Sequence, residues 1–168
     1  MKTILVSGIG GLTPRSIATI IRKNHPEYKI IGCDIDKKAM GFFMKGLLDE
    51  HYVCPRCTSP DYFPWIERLV VEKNIDYAFV QPESEIVEWG DYYEKNGKYP
   101  CPVFMGSKLL SVSLKDKSIM ADVLEGTEFI PKTIKVTQDN PRFEDVEKMI
   151  GFPCWIRATE GTGGLGSL

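Results

Sequence analysis

The fold of this chain is decided by its opening run, Thr3-Ile-Leu-Val-Ser-Gly-Ile-Gly-Gly-Leu-Thr-Pro14. Residues 3–6 are apolar or β-branched and the run breaks at Gly8, which is typical of a short strand buried on both faces. Pro14 suits the first turn of a helix, with Thr13 as its N-cap, because a helix needs no N–H from its first residue. The run therefore predicts a strand, a glycine-rich turn and a helix.

The alternation of strand and helix continues to about residue 105. Further strand patterns occupy residues 29–33, 51–53, 77–80 and 102–105, and helical patterns occupy residues 14–24, 37–48, 59–70 and 83–95. This order predicts an α/β fold, in which a Rossmann-like, doubly wound parallel sheet spans residues 1–112. In such a sheet, ligands lie beyond the carboxyl ends of the strands. We therefore expect residues 8–11, Asp34, residues 81–85 and Gly106 to share one rim.

The pattern changes in residues 113–168. Helical patterns at residues 115–124 and 141–150 alternate with short strand patterns at residues 134–136 and 153–157. The last strand pattern leads into a glycine-rich loop, and the sequence ends two residues after Gly166. We therefore expect an incomplete α+β domain here, and we interpret the chain as a truncated or split-gene piece of a longer protein.

Composition and charge exclude several classes of protein. The chain has 168 residues with 21 basic and 23 acidic side chains, and its formal net charge of −2 predicts no nucleic-acid partner. No apolar run approaches the length of about 20 residues that a membrane-spanning helix needs. Residues 3–6 are too short for the apolar part of a signal peptide. The sequence therefore predicts a cytoplasmic protein that does not bind a membrane.

The five cysteines are interpreted as reduced thiols, because their number is odd and no secretory signal precedes them. His51, Cys54 and Cys57 have a spacing that could begin a zinc site, with Cys33 as a fourth ligand. Structural zinc sites usually contain a second closely spaced pair of ligands, and the sequence contains none. We therefore predict that the chain holds no metal.

The glycine cluster at residues 8–11 has two interpretations. A dinucleotide fingerprint, Gly-x-Gly-x-x-Gly, that begins at Gly8 requires glycine where this chain has Thr13. Asp34 nevertheless ends the second strand pattern, where a ribose-binding carboxylate belongs. The chain could thus be a stand-alone Rossmann-like nucleotide-binding domain or an NAD(P)-dependent oxidoreductase. The residues favour the other interpretation, a tight strand-to-helix turn that needs a positive φ.

A second glycine cluster, at residues 161–166, follows Arg157. Such a loop offers backbone N–H groups that can wrap a polyphosphate, and the guanidinium of Arg157 adds a fixed positive charge beside it. A β-hairpin loop with a solvent-facing arginine explains the same residues equally well. The residues alone leave both interpretations open.

A family resemblance covers the whole chain. It is carried by Phe152-Pro-Cys-Trp-Ile-Arg-Ala-Thr-Glu-Gly-Thr-Gly-Gly-Leu-Gly166, which resembles the lid strand and glycine-rich loop of the ATP-grasp superfamily. The arginine in this segment makes it most similar to the large subunit of carbamoyl phosphate synthetase. The segment Ser113-Leu-Lys-Asp-Lys117 is similar to the Asp-Lys segment that opens the ATP-grasp fold. Residues 1–112 resemble the pre-ATP-grasp domain that precedes it.

The resemblance implies a parent enzyme that activates a carboxylate or bicarbonate with ATP, as an acyl phosphate or carboxyphosphate, for attack by an amine. Mg²⁺ would accompany ATP, and its ligands lie downstream in the family, so this chain by itself is expected to be inactive. The residues that would bind ATP are Lys117, Arg157, Gly161, Gly163, Gly164 and Gly166. The candidates for contacts with the other substrate are Gly10, Glu83 and Glu85. A homodimer is a further hypothesis from the resemblance.

Overall fold

The computed structural model describes residues 1–159, except for the side chains of residues 113–115. The chain forms two compact units, which divide after Lys108. The first unit contains the whole sheet, and the second begins at Leu109. None of the helices in the described residues combines the length and the apolar character that crossing a bilayer requires.

The first unit contains a five-stranded sheet in which every pairing is parallel. Its strands are β1 (Thr3–Ser7), β2 (Lys29–Asp34), β3 (Glu50–Val53), β4 (Tyr77–Phe79) and β5 (Val103–Phe104). Their spatial order is β3-β2-β1-β4-β5, so the chain moves outward from β1 on one side and then returns to its other side. The predicted α/β fold with a Rossmann-like, doubly wound parallel sheet is confirmed.

Helices cover both faces of this sheet. They are α1 (Leu12–Asn24), α2 (Tyr62–Lys73) and α3 (Glu83–Asn96). Leu5 of β1 packs into a cluster with Ile66 of α2 and Trp89 of α3. Its neighbour Val6 points to the other face and packs with Ala18 of α1. Because both faces are buried, the strand sequence is almost continuously apolar.

The prediction of a helix at residues 37–48 is wrong. The structure has only a 3-10 turn there, Met40–Phe43. Gly41 packs so closely on the turn after β1 that a Cβ would lie 2.5 Å from the carbonyl oxygen of Ile9. Gly46 then has a φ of +77°, which a regular helix does not contain. Close backbone contact and a left-handed residue therefore replace the predicted helix with a short turn.

The helix predicted at residues 115–124 forms as α5 (Lys117–Leu124), and a helix that the sequence did not predict, α4 (Lys108–Lys115), precedes it. Asp116 between them has an extended backbone, with φ −95° and ψ 108°. Its carboxylate accepts a hydrogen bond from the Ser118 N–H at 2.8 Å. An aspartate in this position begins a new helix, because it satisfies an N–H that lacks a partner within the helix.

The described part of the second unit has less regular structure than the sequence predicts. The helix predicted at residues 141–150 consists of α6 (Phe143–Asp145) and a π-helical turn, Val146–Ile150. No strand forms at residues 134–136, and in residues 153–157 only Arg157 makes a strand-like bridge. A β-branched run becomes a strand only where the backbone of another segment pairs with it. The local sequence pattern does not show whether such a segment is present.

Candidate functional site

The carboxyl ends of β1 and β4 form a crevice at the point where the strand order reverses. β1 leads into α1 on one face of the sheet and β4 leads into α3 on the other, so the two loops diverge. A cavity of about 340 Å³ lies at this edge of the sheet, bounded by residues from the ends of β1, β2, β3 and β4, and its size suits a small molecule. Its lining includes Gly8, Asp34, Arg56, Cys57, Ser84 and Glu85.

The loop after β1 is a tight turn whose N–H groups bond within the protein. Gly8 has a φ of +63°, and a Cβ there would lie 2.6 Å from Cγ of Pro82 in the loop after β4. The Gly11 N–H donates to the carbonyl oxygen of Gly8 at 2.8 Å. The Gly10 N–H donates to Oδ2 of Asp34, also at 2.8 Å. A phosphate-binding loop directs such N–H groups at its ligand, so this geometry favours turn residues over a dinucleotide loop.

Asp34 holds two loops together. Its Oδ2 accepts the hydrogen bond from Gly10, and its Oδ1 accepts one from the Asp36 N–H at 2.9 Å. Each carboxylate oxygen therefore has one backbone donor, which fixes the carboxylate at the end of β2, and keeps a second acceptor position. Asp34 adds negative charge to the cavity lining, and its hydrogen bonds hold the loop after β1 to the loop after β2.

Glu85 brings a buried carboxylate to the cavity. Only 5% of its surface is exposed, and the Tyr62 hydroxyl donates to its Oε2 at 3.1 Å. The indole N–H of Trp89 in turn donates to the Tyr62 hydroxyl oxygen at 3.1 Å. Burial raises the pKa of Glu85, and hydrogen bonds from Ser7 and Tyr62 offset part of that rise. The negative charge of Asp34 raises this pKa further.

Three thiols lie near the cavity. Cys33 and Cys54 are buried and share a hydrogen bond, and this bond together with burial raises the pKa of Cys33. Cys57 is half-buried in the cavity lining, and burial raises its pKa despite a hydrogen bond with Ser84. Thiols with a raised pKa carry little thiolate at neutral pH, so the site does not favour chemistry with a cysteine nucleophile.

The hypothetical zinc ligands lie on opposite faces of the sheet. His51 stacks on Phe42 with ring centroids 4.6 Å apart, and Phe42 packs against the cluster on the α1 face. Cys54 belongs to the cluster on the other face. Among the residues that the structure describes, no three His, Cys, Asp or Glu side chains are grouped so that they could hold a metal ion. That the chain holds no metal stays a prediction.

The predicted substrate residues lie in different environments. Glu85 lines the cavity, whereas Glu83, in the same turn of α3, is exposed and is not part of the lining. Gly10 lies in the turn after β1, where its N–H is already bonded. The sequence reasoning missed Arg56, although its position shortly after β3 was a usable signal. It also missed Tyr62, because a tyrosine at helical spacing is typical of simple core packing.

In the second unit, a backbone hydrogen bond joins two of the predicted ATP-binding segments. The N–H of Lys117, the first residue of α5, donates to the carbonyl oxygen of Thr159 at 2.8 Å. Arg157 lies two residues before Thr159, and its side chain is exposed. The glycines predicted to bind phosphate lie outside the described residues, at Gly161, Gly163, Gly164 and Gly166.

The sequence matches no protein-family model, and no curated protein matches it significantly. Its structure is similar to the biotin carboxylase domain of 2-oxoglutarate carboxylase from Hydrogenobacter thermophilus, in complex with MgADP, ADP and bicarbonate. The TM-score is 0.54 at 16% sequence identity, and the match covers 96% of this chain and 36% of that chain. This likeness shows a shared fold, and the chain spans about a third of the length of the domain that it resembles.

Two other solved structures have lower scores. The biotin carboxylase subunit of a pyruvate carboxylase has a TM-score of 0.48 at 19% identity, over 99% of this chain and 36% of that chain. The dTDP-glucose 4,6-dehydratase of Bacillus anthracis, in complex with NAD, has a TM-score of 0.40 at 12% identity. That match covers 84% of this chain and 43% of the dehydratase chain.

Proposed function

We propose that this chain is the N-terminal part of an ATP-dependent ligase of the ATP-grasp type. The parent enzyme would use ATP to activate a carboxylate or bicarbonate as an acyl phosphate or carboxyphosphate, which an amine then attacks. Residues 1–112 would form the pre-ATP-grasp domain, and residues 113–168 would begin the ATP-grasp domain. The fold shared with a biotin carboxylase domain supports this proposal. The finer similarity to carbamoyl phosphate synthetase rests on Arg157 in the lid segment.

The observation that carries the proposal is the hydrogen bond from the Lys117 N–H to the Thr159 carbonyl oxygen. It brings the beginning of α5 beside the segment that contains Arg157, although the two segments are far apart in the sequence. Ammonium and guanidinium groups are the side chains that bind phosphate oxygens. We therefore assign Lys117 and Arg157 to the phosphates of ATP, with residues 161–166 supplying backbone N–H groups.

The proposed roles follow from the chemistry of phosphoryl transfer, which depends on positioning and on neutralising charge. Arg157 would offer a planar fork of N–H donors, and Lys117 would add a compact positive charge. Mg²⁺ would neutralise further phosphate charge when bound. In the described part of the chain no cluster of acidic or other ligating side chains could hold it, so we assign no Mg²⁺ ligand. The cavity at the carboxyl ends of β1 to β4 would hold the second substrate.

Release of ADP by the complete parent enzyme tests the proposal. Bicarbonate or one of a set of small carboxylates should stimulate ADP release, and Arg157→Ala should lower the stimulated rate by about a hundredfold or more. The matched control is Lys132→Ala, which removes an exposed positive charge from the same unit and should leave the rate unchanged. An undiminished rate in Arg157→Ala, or ADP release that no carboxylate stimulates, would contradict the proposal.

A Rossmann-like nucleotide-binding domain or NAD(P)-dependent oxidoreductase is the second candidate. The strand order and the position of Asp34 at the end of β2 favour it. Thr13 in place of the third glycine, and the N–H groups of Gly10 and Gly11 that bond within the protein, count against it. Fluorescence titration of the chain with NADH and NADPH separates the two candidates. Saturable binding that Asp34→Asn weakens would support the second candidate over the first.

A further inference from the structure

We propose that Lys135 is a further phosphate-binding residue of the nucleotide site in the second unit, and that Ser118 holds its side chain in position. The inference deepens the proposed function, on which it rests for the identity of the ligand as ATP or ADP. Lys135 lies outside the two segments whose residues carry the resemblance to the ATP-grasp superfamily. Its assignment therefore depends on the contacts that its side chain makes.

The ammonium group of Lys135 is anchored at the beginning of α5. Its Nζ donates a hydrogen bond to Oγ of Ser118 at 3.2 Å, and the Ser118 O–H donates in turn to Oδ1 of Asp116 at 2.7 Å. Both bonds have a fixed direction, because an ammonium group can only donate and an ionised carboxylate can only accept. Ser118 is buried, and its backbone N–H also donates to Oδ1 of Asp116. The acceptor for Lys135 is therefore itself held in place.

This anchor places Lys135 beside the two segments to which we assign ATP binding. Ser118 directly follows Lys117, whose N–H donates to the carbonyl oxygen of Thr159 at 2.8 Å. Arg157 lies two residues before Thr159. The residue that holds the Lys135 ammonium group is thus the neighbour of the residue that joins the two segments. The side chains of Lys135 and Arg157 therefore bring positive charge to adjoining parts of one compact unit.

Lys135 keeps donors that a ligand can use. An ammonium group has three N–H donors, and among the described residues only Ser118 accepts one from Lys135. Lys135 forms no ion pair in that part of the chain. The exposed side chain of Arg157 likewise has no hydrogen-bond or ion-pair partner there. Two cations without a carboxylate partner, on adjoining segments, suit a ligand with several negative charges, such as the polyphosphate of a nucleotide.

The alternative role for Lys135 is to offset the negative charge of Asp116. Hydrogen bonds from Ser118 have the largest effect in lowering the pKa of Asp116, and the positive charge of Lys135 adds a smaller effect. Asp116 thus keeps its main stabilising contacts when Lys135 is removed. A structural role therefore predicts little change of any kind on removal of Lys135, whereas a phosphate contact predicts a selective loss of nucleotide affinity.

Calorimetric titration of the complete parent enzyme with MgADP, and separately with adenosine, tests the proposal. The two ligands share the base and the ribose, so a difference between them reports on the phosphates. Lys135→Ala should weaken MgADP binding about tenfold to a hundredfold, because it removes a charged donor, and should leave adenosine binding unchanged. Lys135→Arg keeps the positive charge and should recover part of the affinity. The matched control Lys132→Ala removes another exposed lysine of the same unit and should not change either affinity.

Ser118→Ala tests the positioning role of Ser118, which acts through Lys135. The variant removes the acceptor that holds the ammonium group, so MgADP binding should weaken about threefold to tenfold. In combination with Lys135→Ala, the same substitution should cause no further loss, because the group that it positions is already absent. A merely structural role for Ser118 would cause the same loss in both backgrounds. Thermal melts followed by circular dichroism establish that each variant is folded.

Three results would overturn the proposal: unchanged MgADP affinity in folded Lys135→Ala, an equal weakening of adenosine binding by this variant, or additive losses for Ser118→Ala and Lys135→Ala. If Arg157→Ala still weakens MgADP binding in that case, the proposed ligase function stands without Lys135. No binding of MgADP by the wild-type enzyme would overturn both proposals. Absence of carboxylate-stimulated ADP release, with Lys135-dependent MgADP binding intact, would remove the ligase role and leave the phosphate contact in place.

Discussion

Replacing Gly8 by alanine tests the close approach of the loops after β1 and β4. Gly8 has a φ of +63°, and a Cβ there would lie 2.6 Å from Cγ and 3.1 Å from Cδ of Pro82. A residue with a side chain costs about 1–2 kcal/mol at such a φ, and forced overpacking adds about 1–3 kcal/mol. We therefore expect Gly8→Ala to lower the free energy of unfolding of the first unit by about 2–5 kcal/mol.

Gly97→Ala is the matched control, because it shares the backbone strain and lacks the steric contact. Gly97 has a φ of +71° at the end of α3, and no heavy atom lies within 4 Å of the position of its Cβ. We expect this control to lose only about 1–2 kcal/mol. Pro82→Ala removes the atoms that a Cβ on residue 8 would meet. In combination, Gly8→Ala and Pro82→Ala should therefore be less destabilising than their sum by about 1–3 kcal/mol.

Urea unfolding followed by tryptophan fluorescence measures these differences, since Trp89 is fully buried in the core of the first unit. The dependence of the free energy of unfolding on urea concentration should stay the same in all variants, so that midpoints report stability. Equal losses for Gly8→Ala and Gly97→Ala would refute the proposed contact with Pro82. Strict additivity of Gly8→Ala and Pro82→Ala would refute it independently.

Three further predictions concern acid stability, the reactivity of the thiols and the zinc content. Hydrogen bonds from Lys29 and Lys73 lower the pKa of Glu50 from 4.5 to about 2, so its contribution to stability is complete above pH 4.5 and is lost as the pH falls toward 2. Glu50→Gln should therefore flatten the acid side of the stability profile in urea unfolding, and an unchanged profile would contradict this assignment. Because burial raises the pKa of Cys57 and encloses Cys33, Ellman's reagent at neutral pH should modify Cys57 slowly and Cys33 only on unfolding. Metal analysis of protein purified without chelator should find far less than stoichiometric zinc, and stoichiometric zinc lost on Cys57→Ser would disprove this.

The alternation of strands and helices in the first unit is a local property of the sequence and could be predicted. The run at residues 3–6 is apolar on both strand faces, as a central parallel strand requires, and glycine, proline or asparagine follows most of the strands and helices. The helix predicted at residues 37–48 failed because Gly41 contacts the backbone of Ile9, which lies far away in the sequence. The strands predicted in the second unit failed for a related reason, since a strand depends on a partner that no local pattern contains.

The sequence by itself determined that the loops after the strands meet along one rim, because parallel strands all end on the same side of a sheet. Only the tertiary structure decided which side chains of those loops are buried together. Glu83 and Glu85 lie in the same turn of α3 but about 200° apart around its axis, so one is exposed and the other accepts a hydrogen bond from Tyr62. Tyr62 and Trp89 belong to different helices, and they meet because α2 and α3 cover the same face of the sheet. The periodicity of one helix specifies its buried face but not the neighbour that this face contacts, so the carboxylate and its donors could be recognised only from the packing.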